Sequence, residues 1–200
     1  MELIRFGSGH PKKYELLWVR TQDVEKGFEV WRPHHAGVVR NKSWDLGLVD
    51  VDDACGGIPG VARRRVEKNE SWEECGELER VILERKNNGQ SHQPADHDFQ
   101  KHWDRRYSRL NSLIDEVRET GRLRTMAEFL SSGGFRERGG IGVSLDEYGR
   151  IVLTEGHHRF GIIKGLGIEK IPVALYAIHP GFMKTPDWKA NLELLRSRGN

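Results

Sequence analysis

An α+β fold is what this 200-residue sequence predicts, and three observations predict it. Residues 141–145 and 150–154 alternate around the turn residues Asp146-Glu147-Tyr148-Gly149, as the two arms of a β-hairpin do. Two stretches, 71–86 and 104–120, carry apolar side chains at helical spacing. The apolar run Ile171-Pro172-Val173-Ala174-Leu175-Tyr176-Ala177-Ile178, bounded by Gly167 and Pro180, has the length of a strand rather than of a helix.

Taken in order, residues 1–60 read as short strands and turns. Tyr14–Arg20 and Phe28–Trp31 are candidate strands, and Gly37–Arg40 is a third. Cys55-Gly56-Gly57-Ile58-Pro59-Gly60 is a breaker cluster that no regular element should cross. A helix is expected from Ser71 to about Lys86. Ser71 and Glu74 have capping-box spacing, and Leu78, Val81 and Ile82 share one face. Residues 87–98 are polar and turn-rich and read as the main linker. A second helix follows from Asp104 to Thr120, with Tyr107, Leu110, Leu113 or Ile114, and Val117 as its stripe and Gly121 as its stop. A short helix over Met126–Leu130 precedes a glycine-rich loop, 133–140. After the hairpin comes a helix opening near His158, holding Phe160, Ile162, Ile163 and Leu166 and closed by Gly167. The expected organisation is an accessory region over 1–100 with short strands and one helix, a core domain over 101–180, and a tail or short helix over 181–200.

Hydrophobic residues make up 36% and charged residues 31% of the chain, and mean hydropathy is -0.65. Six Trp and seven Phe nevertheless supply enough apolar surface for a core, so wholesale disorder is not expected. No run approaches the ~20 apolar residues of a membrane helix. Met1–Gly7 lacks a basic region followed by an apolar one, so no secretory signal is read. Cys55 and Cys75 are too far apart for a CxxC pair and too few for a disulfide framework, which suits a reducing, cytoplasmic setting. Formal charge is +2, unevenly spread: residues 101–200 carry 17 Lys and Arg against 12 Asp and Glu, a net of +5. That bias is compatible with a phosphate-bearing partner but short of the basic stripe of a strong duplex binder.

The chemistry is concentrated in Thr154-Glu155-Gly156-His157-His158-Arg159, where the hairpin's second strand meets the next helix. Gly156 lets the backbone turn sharply and lets another group approach. The helix start exposes unpaired N–H groups at the positive end of its dipole, a natural anion site. Arg159 adds a planar charged fork and the histidines add switchable donors. A polyphosphate fits this set better than other common ligands.

With its flanks, Gly149–Leu153 before it and Lys164-Gly165-Leu166-Gly167 and Ile171-Pro172-Val173 after it, the motif resembles the ParB/sulfiredoxin superfamily over about residues 105–180. The resemblance implies a ParB/sulfiredoxin-like core of hairpin, Gly-x-x-Arg turn, helix and strand. Sulfiredoxins carry a catalytic cysteine beside the His-Arg pair, where this chain has His157 with neither cysteine near it in sequence. Sulfinic acid reduction is therefore not expected. Chromosome-partitioning members follow the motif with a helix-turn-helix domain, and only about twenty residues follow the last strand here, so centromere reading is not expected either.

The Gly-His-His-Arg form is closer to ParB-related small-molecule kinases. That likeness implies nucleotide or phosphate binding by Gly156, His157, His158 and Arg159, with Mg²⁺ and a nucleoside phosphate as cofactors. It makes Glu155 the candidate metal ligand or base, with Glu116 and Glu119 as alternatives for the base, and Glu155 and His158 the candidate catalytic pair. The expected activity is a nucleotide-dependent phosphotransferase or phosphohydrolase. A DNA-associated backbone binder or weak nuclease, and a non-catalytic interaction module, are the alternatives. Other motifs read as structure. His92, His97 and His102 with Asp96 and Asp98 match no zinc spacing. Arg63-Arg64-Arg65 reads as a solvated face, and Arg136–Gly140 as a connector before a lid. Trp18, Trp31, Trp44, Trp72 and Trp103 read as core anchors of the first half.

Overall fold

Among the residues that the computed structural model describes (11–12, 14–29, 47–90, 92–129, 137 and 139–197), six strands form one mixed sheet. They are β1 (Leu16–Arg20), β2 (Lys26–Phe28), β3 (Leu48–Asp50), β4 (Ile141–Leu145), β5 (Ile151–Glu155) and β6 (Lys170–Ile178). The order across the sheet is β1-β6-β4-β5-β2-β3. β4 runs parallel to β6 and β2 parallel to β5, and the other pairs are antiparallel. The helices are α1 (Ala54–Glu67), α2 (Glu77–Asn87), α3 (His97–Thr120), α4 (Met126–Phe129), α5 (His157–Gly165) and α6 (Trp188–Ser197). The α+β class is as expected. No helix among the described residues is long and apolar enough to cross a membrane.

The sheet takes β1–β3 from the segment expected as an accessory region and β4–β6 from the expected core, so it has no boundary at residue 100. The hairpin arms form as expected, yet they do not present one face to water: every residue of β4 is buried. The polar positions on the second face satisfy each other, with Ser144 Oγ 2.8 Å from Thr154 Oγ1.

Two apolar clusters result. One lies on the sheet around Leu17, Val143, Leu153, Phe160 and Val173. The other joins the helices through Trp72, Val81, Phe99, Tyr107, Ile114 and Ile162. α5 separates and feeds both, Phe160 and Ile163 going to the first and Ile162 to the second, so it is buried almost all round. α1 lies directly on it. A Cβ on Gly161 would run into the Pro59 carbonyl and come within 2.9 Å of the Ala62 Cβ.

Several local expectations change. The breaker cluster does not exclude a helix; it starts one. Cys55, Gly56 and Gly57 sit in the left-handed region (φ 51°, 70° and 81°), and regular helix runs on with Pro59 in its first turn, where a missing N–H costs nothing. The Ser71–Glu74 capping box is formed in both directions, at 2.7 and 3.1 Å, but it closes an isolated turn. Gly76 (φ 88°) interrupts the chain, and α2 begins only at Glu77. α3 starts seven residues earlier than expected, at His97, because Phe99 and Trp103 extend its apolar stripe by two more steps. Trp72 is a core anchor, as expected, and Trp103 packs against the same cluster. Trp31, Trp44, the candidate strand over 37–40 and the arginines of the 133–138 loop lie outside the described residues.

Candidate functional site

β5 ends at Glu155 and α5 begins at His157, leaving Gly156 alone to make the turn, with φ at 74°. A Cβ at Gly156 would lie 2.9 Å from the Gly140 carbonyl oxygen and from the Ile141 Cα. Both the backbone conformation and the close approach of β4 therefore require glycine. The first N–H groups of α5, which no helical carbonyl can reach, open beside this turn.

Arg159 donates a hydrogen bond to the Gly139 carbonyl and so leans toward the start of β4. No carboxylate pairs with it among the described residues. Burial lowers its pKa, and Glu137 and Glu155 oppose that shift from a distance. Glu137 is itself buried and binds the Met126 N–H with both oxygens, at 2.8 and 2.9 Å.

His158 points the other way. Its Nε2 is 2.6 Å from Glu77 Oε1 in the fully buried start of α2. The same oxygen accepts from the Tyr107 hydroxyl at 2.5 Å, and Arg80 grips the carboxylate bidentately at 2.8 Å on both arms. Burial alone would raise the Glu77 carboxyl, but the hydrogen bonds from Arg80 and His158 outweigh it and hold the group well below the usual carboxylate range. For His158, burial outweighs the pull of Glu77 and lowers the pKa. Arg80 already neutralises Glu77, so His158 is neutral, donating Nε2–H. Its Nδ1 is then the acceptor facing Arg106 Nη2 at 3.4 Å. Glu77 at Nε2 and Arg106 at Nδ1 hold the His158 imidazole in one orientation where it lines the cleft. It fixes α5 to α2 and faces an arginine of α3.

His157 is also buried, but its Nε2 has no hydrogen-bond partner among the described residues. Burial, with His158 and Arg80 adding to it, lowers its pKa to about 4, so the ring is neutral near pH 7. An unmatched buried imidazole nitrogen costs roughly 1–3 kcal/mol, which a ligand group hydrogen-bonded to it would recover.

These residues line a cleft of about 950 Å³, near the top of the ~300–1,000 Å³ range of small-molecule sites. Gly139, Gly156 and Arg159 line it together with Arg105, Arg106 and Arg109 of α3. Arg105 and Arg109 make no ion pair or hydrogen bond among the described residues, and the polar contact of Arg106 is with neutral His158. Several arginines elsewhere are matched, as in Arg64–Glu70, Arg150–Asp146 and Arg196–Glu15, whereas Arg65 has two buried guanidinium nitrogens without a partner among the described residues. The contribution of α3 was not read from the sequence. Its signal is three arginines within one and a half turns, Arg105 and Arg109 on the exposed side of the helix and Arg106 at the edge of the apolar stripe. Cys55, distant in sequence, also lines the cleft, carried there by the left-handed turn that opens α1.

Glu155 lines the cleft, and so does Glu84. No three metal-ligating side chains converge among the described residues. A divalent cation here would thus take Glu155 from the protein and its other oxygens from a ligand, a donor set that suits Mg²⁺ on a phosphate chain. Glu116 is committed elsewhere, bound by both arms of Arg124. His92, His97 and His102 form no cluster. No protein-family model, no curated protein and no solved structure matches the chain.

Proposed function

We propose that this chain binds a phosphate-bearing small molecule, a nucleotide first among them, in the cleft at the start of α5. One observation carries the reading: four arginines without carboxylate partners among the described residues, Arg105, Arg106, Arg109 and Arg159, line a single concavity into which a glycine turn opens a helix N-terminus. Like charges gathered in this way repel one another, and an anionic guest reverses the sign of that interaction. The neutral His157 adds an unmatched hydrogen-bonding nitrogen at the same place. The order of hairpin, Gly156 turn, α5 and β6 supports the ParB/sulfiredoxin-like reading of residues 101–180. Phosphoryl transfer or hydrolysis is the reaction these groups are suited to assist. The arginines would neutralise charge on the transferring group. Mg²⁺ held at Glu155 would supply further neutralisation. A concave site with inward-facing cations suits a small anion better than a duplex backbone, so the DNA reading ranks second.

Isothermal titration with ATP, ADP, CTP and inorganic pyrophosphate, each with and without Mg²⁺, tests the proposal. Binding of at least one is expected, weakened about tenfold or more in Arg159→Ala, as for loss of a charge-assisted hydrogen bond. No binding of any of the four removes it. Binding that collapses for duplex DNA with rising salt, while the small phosphates stay inert, moves the assignment to the DNA reading.

A further inference from the structure

Anion binding makes no use of Cys55, a half-buried thiol on the same cleft. The packing of α1 on α5 brings it there. A Cβ at Gly161 would meet the Pro59 carbonyl and the Ala62 Cβ, and one at Gly165 would meet the Arg63 carbonyl and the Val66 Cβ. Four residues along α5 are thus matched by four along α1, so the two helices run in the same direction. The same match carried one turn back sets positions 55 and 58 against His157, and Cys55, Ile58 and His157 all line the cleft. Two helix starts open into it side by side.

The turn that carries Cys55 leaves room around it. Cys55 adopts a left-handed backbone, φ 51°, uncommon outside glycine, and Gly56 and Gly57 continue it. A Cβ on either glycine would meet no atom of the described residues within 4 Å. Cys75 is the contrast. It is 2% exposed, its thiol donates to the Trp72 carbonyl at 3.4 Å, and burial pushes its pKa up. Cations beside a thiol favour the thiolate, the form that attacks a disulfide sulfur, and Arg105, Arg106, Arg109 and Arg159 share the cleft with Cys55. His157 is an independent sign of a guest at this place: it is 6% exposed, and its Nε2 is without a partner among the described residues.

We propose that Cys55 is a thiol–disulfide exchange site for small anionic disulfides of the glutathione type. The Cys55 thiolate attacks one sulfur of the disulfide. A new S–S bond joins Cys55 to one half, the old S–S bond breaks, and the other half leaves as a thiolate that takes up the proton Cys55 gave up. No further oxidant is consumed, and a second thiol reverses the step. The arginines attract the carboxylates of the incoming disulfide and hold those of the half that stays. That half stands where an anionic guest would sit, so exchange at Cys55 closes the cleft. The closure, unlike the exchange, rests on the anion-binding reading.

Intact-mass spectrometry with peptide mapping tests the exchange on the full chain, in oxidised glutathione and in cystamine, a cationic disulfide. The folded chain should gain one glutathionyl group at Cys55 and none at Cys75. Relative to the same chain unfolded in urea, it should favour oxidised glutathione over cystamine about tenfold or more at low salt, as electrostatic steering allows. Added salt should shrink that preference, and so should Arg105→Ala with Arg109→Ala. Folded Cys55→Ser should take up no glutathione. A folded chain that gains none at Cys55, or shows no preference between the two disulfides, overturns the proposal. Isothermal titration then tests the closure: the glutathionylated chain should bind pyrophosphate about tenfold or more weaker than the untreated one, dithiothreitol should restore it, and treatment of Cys55→Ser should change nothing. Exchange at Cys55 with pyrophosphate binding unchanged overturns the closure. If the untreated chain binds none of the phosphates, the proposed function has failed, while the mass readout still decides the exchange. Circular dichroism of each variant separates a lost site from a lost fold.

Discussion

Within a few residues of α3, charge is handled in two opposite ways. Tyr107 turns inward and joins Arg80 and His158 on Glu77, so that a fully buried carboxylate takes three contacts on Oε1 and one on Oε2. Arg105 and Arg109 turn outward to the cleft and meet no acidic partner among the described residues. The first arrangement binds α2, α3 and α5 together; the second holds them apart from one another's charges and contributes nothing to that binding. The difference separates charge that serves the fold from charge that serves a guest, and it can be broken by measurement.

The largest effect is expected at the inner set. Glu77→Ala removes the acceptor of the Tyr107 hydroxyl and leaves Arg80 with Glu84 alone, and breaking a buried pair in this way costs about 3–5 kcal/mol. Urea unfolding should show it; a loss below about 1 kcal/mol would mean the carboxylate is dispensable and the contrast false.

Acid comes next. The pKa of His157 is lowered in the folded chain, to about 4 from 6.5, so its neutral form is what folding favours. The associated stability is complete above pH 6.5 and drains away as pH falls through about 4, reaching a loss on the order of 3 kcal/mol there. The carboxyl of Glu77, held lower still, adds its own loss only at more acidic pH. Unfolding midpoints from pH 7.5 to 4 should fall in that window, and His157→Phe should flatten the slope. An unchanged slope in that variant would assign the acid sensitivity to other groups.

The smallest stability change is expected at the outer set. Arg105→Ala and Arg109→Ala together should alter unfolding free energy by no more than about 0.5 kcal/mol, or raise it slightly at low salt by relieving repulsion. The same double variant should lose pyrophosphate binding. A destabilisation of 2 kcal/mol or more would show these arginines to be structural and erase the distinction.

What could be read in advance follows the range of the interactions. The β4–β5 hairpin, the Gly156 turn and α5 were legible because turn chemistry and periodicity are written within a dozen residues. The capping box at Ser71 and Glu74 was legible too, yet its extent was not, since Gly76 and the pull of Glu77 into the core decide where α2 starts. The partner of His158 lies 81 residues earlier, and no local pattern links the two. The arginines of α3 are visible as charges in the sequence, but whether a charge is matched is a property of the fold. Cys55 reaches the cleft through three successive left-handed residues, which the sequence announces only as a break.

The pairing of β1 with β6, which sets Leu16 opposite Ala174, has a consequence for biosynthesis. During translation the first strand leaves the ribosome long before its neighbour exists, and β2 likewise waits for β5. The early helices can collapse meanwhile, but the sheet closes only once β6 has emerged, so the earlier strands spend that interval with edges uncovered. Slow, late-closing assembly of this type is what chaperones shield, and production yield should therefore respond to chaperone supply more than to growth rate.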